Sequence, residues 1–309
     1  MIFKNKMARR LLRPSDLFLP LAFLVASLME RGEVALELFI VYCATKLCAL
    51  AAADGLRAAF ATQPSMKYVQ GSTITALICQ FFGFILSISI FYLLPGMRLL
   101  LPLVPCGLFL NIEHVFYEYL CAVGDKNSAL ANRCITAVLT LLGLLLCMPP
   151  QGGPFGLVSV DPTWPLITCG LSALVGLFIS ISLGGHLHPV LNTEVFRRAP
   201  LSMVHAALCP ALILVALTLL WPAGFTPAPA FAGLLLHEAC RTPFRRAPLE
   251  SREMNLLLLI VGGAAALGLV IFQFLVRVPL SDAVAMTCAS LLIAAVCSFA
   301  LYGSVSKPE

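Results

Sequence analysis

The chain has 309 residues, 60% of them hydrophobic and only 11% charged. That balance excludes a soluble globular fold, because too little polar surface remains to face water. The net charge of +5 comes from basic residues split among short loops, a distribution that excludes a nucleic-acid-binding surface and fits topology signals that also attract anionic lipid headgroups.

Apolar runs of about 20 residues recur along the chain, each long enough to cross a bilayer core of about 30 Å. The fold class is therefore an all-α integral membrane protein. The runs predict ten spans: Ser15–Met29, Val34–Ala53, Ser72–Leu94, Leu99–Ala122, Ala129–Met148, Trp164–Leu183, Ser202–Trp221, Phe225–Cys240, Met254–Val276 and Ala283–Gly303. The basic N-terminus lacks a small-residue cleavage site, so no removable signal peptide is expected. Its Lys4, Lys6, Arg9, Arg10 and Arg13 place it in the cytoplasm under the positive-inside rule. Alternate loops carry Arg57 and Lys67, then Lys126 and Arg133, then Arg197 and Arg198, then Arg241 to Arg252. This alternation requires Phe225–Cys240 to cross, and it puts both termini on the cytoplasmic side of a cell membrane.

Span four interrupts the apolar pattern with Asn111, Glu113, His114, Tyr117 and Glu118. A charge near mid-bilayer costs about 2.5–3.5 kcal/mol even on the lenient insertion scale, so such groups face protein or water and tend to be functional. Asn111, His114 and Glu118 are spaced i, i+3, i+7 on one helix face, and Glu113 and Tyr117 form an adjacent i, i+4 pair. His114 and Glu118 can hydrogen-bond along the helix. A carboxylate beside an imidazole suits binding of a proton or another coupling ion. Lys46, thirteen residues into span two, is expected at similar depth and is the preferred counter-ion for Glu113; Glu37 is expected nearer the interface. The bland alternative is a structural ion pair that fixes helix register. Pro102, Pro105 and Gly107 predict a bend in span four.

The twelve cysteines are scattered without a C-x-x-C and read as small packing residues. His186 and His188 have no neighbouring ligands in sequence, so no metal is expected. His205, His237, Glu238 and Asp282 lie near span ends, where the interface tolerates them. No nucleotide-binding loop, nucleophile elbow or H-E-x-x-H occurs, so no cofactor and no enzymatic activity are expected.

Phe196-Arg-Arg-Ala-Pro-Leu201 recurs as Phe244-Arg-Arg-Ala-Pro-Leu249. Spans seven to ten follow the order and loop charge of spans one to four. Together these suggest parallel repeats, with a six-span lobe over residues 1–190 and a four-span partial lobe over 191–309.

Two stretches carry a family likeness: Glu118-Tyr-Leu-Cys-Ala-Val-Gly124-Asp125-Lys-Asn-Ser-Ala-Leu-Ala131, and Asp54-Gly-Leu-Arg-Ala-Ala-Phe60. Over residues 15–185 the chain resembles one lobe of the multidrug/oligosaccharidyl-lipid/polysaccharide exporter superfamily, which includes the multidrug-and-toxin (MATE) extruders and lipid flippases. Full members have twelve or more spans. The resemblance thus implies a divergent or shortened member, which a partner chain or a second copy would complete.

The expected function is an exporter- or flippase-like transporter working by alternating access. Lys46, Asn111, Glu113, His114, Tyr117 and Glu118 would form the site for a small-molecule or lipid-linked substrate and for a proton or sodium ion. The alternative is a non-transporting subunit or scaffold. A solvated cleft at Glu113 and His114 favours transport, and a closed pair inside one bundle favours the subunit.

Overall fold

The computed structural model describes residues 14–50, 52–53, 56, 60, 65–123, 126–147, 161–184 and 231. Six α-helices and no strand occur among them: α1 Phe18–Ala26, α2 Gly32–Cys48, α3 Met66–Leu93, α4 Val104–Val123, α5 Lys126–Leu146 and α6 Thr163–Gly184. Four stretches are long and apolar enough to cross a membrane, namely Met66–Leu93, Met97–Val123, Lys126–Leu146 and Thr163–Ser182; Ser15–Met29 is apolar but shorter. These helices fit a membrane protein.

The helices correspond to the first six of the ten expected spans. Ten are not found. Spans seven to ten, the partial lobe over 191–309, the repeated hexapeptide and His186, His188, His205, His237, Glu238 and Asp282 lie outside the described residues, apart from Phe231.

A wide π-helical turn, Ser27–Arg31, joins α1 to α2. Phe23 and Phe39 are sixteen residues apart and would stand roughly 24 Å apart on one straight helix. Their rings are 5.6 Å apart, so the two helices fold back on each other. Phe231 stacks on Phe23 at 5.5 Å and meets Phe39 edge-on at 5.5 Å, so one residue of the second half sits in this core.

Span two ends earlier than expected. The α-helix stops at Cys48, and Leu50 adopts φ 54°, a left-handed conformation that terminates a helix. The expected bend in span four is not inside the α-helix. Residues Pro95–Leu103, including Pro102, form a tighter 3₁₀ stretch. The α-helix begins only at Val104, which leaves Pro105 in its first turn, where a missing N–H costs nothing.

Helix α4 is central. It packs against α2, α3, α5 and α6, while α1 packs against α5. Of its most apolar stretch 67% is buried, against 33–39% for the three other spanning stretches. Glycines permit the close crossings. A Cβ on Gly107 would lie 2.6 Å from Thr45 Oγ1 on α2, and one on Gly83 of α3 would lie 2.5 Å from the backbone nitrogen of Ala49. Cys43, Cys106, Cys147 and Cys169 are buried in the same apolar core.

Helix α6 starts beside Asp161. The Asp161 carboxylate accepts from the Thr163 backbone N–H at 3.1 Å and from its hydroxyl at 2.6 Å. These two donors hold the exposed carboxyl below its usual pKa.

Candidate functional site at the α4–α5 seam

Helix α5 runs antiparallel to α4 after a short connection, which sets its second turn beside the middle of α4. Asn132 Nδ2 donates to Glu113 Oε1 at 2.9 Å. Arg133 Nη1 donates to the other carboxylate oxygen, Oε2. The second guanidinium nitrogen, Nη2, reaches His114 Nδ1 at 3.0 Å. The guanidinium also lies over the Tyr117 ring, 4.9 Å from its centre. The Tyr117 hydroxyl shares a hydrogen bond of 2.6 Å with Ser15 Oγ, tying the network to the turn before α1. His114 Nε2 stands 4.0 Å from Glu118 Oε1.

Arginine can only donate, so Nδ1 of His114 is an acceptor in this arrangement and carries no proton. The neutral ring therefore holds its proton on Nε2, the nitrogen nearer Glu118. The set is enclosed: Glu113, Glu118 and Asn132 are 0% exposed, and His114 and Arg133 are 4% exposed.

Of the residues picked from sequence, Glu113, His114 and Tyr117 thus converge on one guanidinium, with Glu118 one turn further along. Asn111 does something else. Its Nδ2 donates to Thr45 Oγ1 at 2.8 Å and to Gly107 O at 2.8 Å, clamping α4 to α2 at the glycine crossing. The ion-pair partner of Glu113 is Arg133 of α5, where Lys46 was the expected counter-ion. Lys46 lies in the last turn of α2, with its ammonium 5.7 Å from the centre of the Tyr42 ring. Glu37 on α2 is also buried, at 1% exposure.

The sequence reading missed Arg133 and Asn132. Sequence alone sets Arg133 among the loop charges, yet it follows Lys126 by seven residues on α5, about 10 Å along the helix at its usual rise. A signal existed. Asn132, Thr136, Thr140 and Gly143 recur at helical spacing and are all buried, which marks the face of α5 turned to its neighbours. Among the described residues, no three His, Cys, Asp or Glu side chains converge as a metal ion would need.

No family model, no curated protein and no solved structure matches this chain.

Proposed function

We propose that this protein is an ion-coupled membrane transporter of the exporter or flippase type, in which the α4–α5 network is the polar site. The supporting observation is the number of ionisable groups enclosed around one central helix. Asp16, Glu37, Lys46, Glu113, His114, Glu118 and Arg133 are all buried among the described residues. A pair that sets helix register needs two charges. Each further one costs about 2.5–3.5 kcal/mol near mid-bilayer, which a chain under selection for stability alone would shed. In this reading the lobe of α1–α6 works against the second half of the chain by alternating access, with both termini cytoplasmic, and the network exchanges partners between the two states. The family likeness supports the same reading.

A second reading has its own observation. Glu113 is satisfied by α5 on both oxygens and the network is closed to solvent. By the criterion of cleft against closed pair, this closed arrangement favours a non-transporting subunit stiffened for assembly with a partner, and the transporter reading rests on the number of buried charges alone. Transport by proteoliposomes under an imposed proton or sodium gradient, scored with a panel of dyes and lipid-linked probes, separates the two. Loss of transport in Glu113→Gln or His114→Ala at normal expression and folding supports the transporter. Unchanged transport in both variants sinks it.

A further inference from the structure

We propose that Arg98 and Tyr92 form a docking site for one anionic phospholipid, with the guanidinium holding the lipid phosphate at a face of the bilayer. Such a site serves a transporter and a subunit alike. Chain direction fixes where Arg98 lies. Met66–Leu93 and Met97–Val123 are consecutive stretches, each long enough to cross a membrane. Arg98 is the second residue of the later one, so it sits where the chain turns back at a bilayer face. Successive crossings alternate in direction, so the start of α6 reaches the same face. Trp164, in the first turn of α6, is exposed there, as is Tyr92. Trp and Tyr in such positions mark the headgroup level.

The arginine is held before any ligand arrives. Its Nε donates to the Tyr92 carbonyl at 2.9 Å. That carbonyl lies in the last turn of α3, where helix carbonyls lack an internal partner. The guanidinium carbon stands 5.1 Å from the centre of the Tyr92 ring. The hydrogen bond uses one of five N–H donors, and the stack uses a face of the group and none of its donors. The other four N–H groups, on Nη1 and Nη2, form a fork suited to two oxygens of one phosphate. They belong to an exposed side chain. Arginines stack on aromatic rings at many protein surfaces. What sets this one apart is its place at a membrane face beside Leu93, Leu94 and Leu99, all exposed. A phospholipid matches both parts, with its phosphate on the fork and its acyl chains on the leucines. A permanent cation at the edge of hydrocarbon is costly unless neutralised, and an anionic lipid neutralises it. A zwitterionic lipid brings its own cation to the same place and gains less.

The test is native mass spectrometry of the full chain in detergent, titrated with phosphatidylglycerol or phosphatidylcholine of the same acyl chains. Wild type should bind the first phosphatidylglycerol more tightly than the first phosphatidylcholine. Arg98→Gln should weaken phosphatidylglycerol binding about tenfold, as loss of a charge-assisted fork does. Arg98→Lys should weaken it too, because lysine keeps the charge but loses the fork and the stack. Tyr92→Leu should weaken it about threefold, since the cation is no longer held in place. Tyr92→Phe should bind as wild type does. Phosphatidylcholine binding should change far less in every variant. Both side chains are exposed, so these substitutions leave the core untouched. Equal affinity of wild type for the two lipids would overturn the proposal. So would wild-type binding by both Arg98→Lys and Tyr92→Leu, which would mean that net charge alone attracts the lipid. Displacement of the bound lipid by excess inorganic phosphate would overturn it as well, since the ligand would then be a free phosphate and the leucines would hold nothing.

Discussion

Arg133 grips Glu113 with one guanidinium nitrogen and His114 with the other, so a single side chain of α5 fixes two consecutive residues of α4. Such a contact carries its stabilisation as a unit. Removing one partner of a buried pair leaves an uncompensated charge and typically costs about 3–5 kcal/mol, whereas replacing both with apolar groups of similar volume is often nearly neutral. Glu113→Leu and Arg133→Leu should therefore each lower stability by several kcal/mol, on the order of that range. The double variant should lose far less than the sum. A double-mutant cycle on unfolding in detergent reads the coupling directly. Additive losses would show that the two side chains do not act together.

The glycine crossings give a prediction with a built-in control. A Cβ at Gly83 meets the backbone of Ala49 at 2.5 Å, and backbone cannot swing aside. A Cβ at Gly170 meets nothing nearer than a ring carbon of Phe109 at 3.7 Å, an ordinary contact. Gly83→Ala should thus destabilise by about 1–3 kcal/mol, the usual range for overpacking. Gly170→Ala should be neutral or slightly stabilising, since it restricts the unfolded chain without a clash. Equal thermal shifts in the two variants would mean that α3 and α2 do not approach as closely as described.

Leu50 is a left-handed residue in a position where glycine is usual. Its side chain is 62% exposed, so little packing is lost on truncation. A non-glycine residue in this conformation costs roughly 1–2 kcal/mol, and glycine returns part of that gain through its freer unfolded state. Leu50→Gly should raise stability by about 0.5–1 kcal/mol, measured as a higher thermal midpoint in detergent. A lower midpoint would show that the termination of α2 does not depend on this backbone conformation.

Hydrophobic run length made the first six helices readable in the sequence, since a span announces itself by some 20 apolar residues. The ends were less readable, because they depend on local backbone geometry. Val34–Ala53 was expected as one span, but the left-handed Leu50 ends α2 at Cys48, and no glycine signals it. The centre of the site was readable for the same reason as the spans: Glu113 and His114 stand out against an apolar background. Their partner was not. An arginine near the start of a span looks like a headgroup charge, and only the packing of α5 against α4 distinguishes Arg133 from Lys126, which is exposed. Depth along each helix sets Lys46 level with Glu113 but does not say which helix faces meet. Pairing across helices is a tertiary fact, and helical periodicity alone does not encode it.

Acid should loosen the start of α6. The Asp161 carboxylate accepts from both donors of Thr163, and these hold its pKa below the ordinary value of 3.8. A carboxyl that is more acidic when folded stabilises the fold at pH values above its unfolded pKa, and that contribution fades as pH falls through the folded one. The positive end of the helix dipole acts in the same direction. Asp161→Asn keeps an acceptor oxygen but removes the charge. Wild type should therefore melt above the variant at pH 6, and the gap should narrow as the pH is taken below 3.8. Because the side chain is exposed, salt should also narrow the gap at pH 6. A difference that does not change with pH would mean that hydrogen bonding alone, without charge, starts this helix.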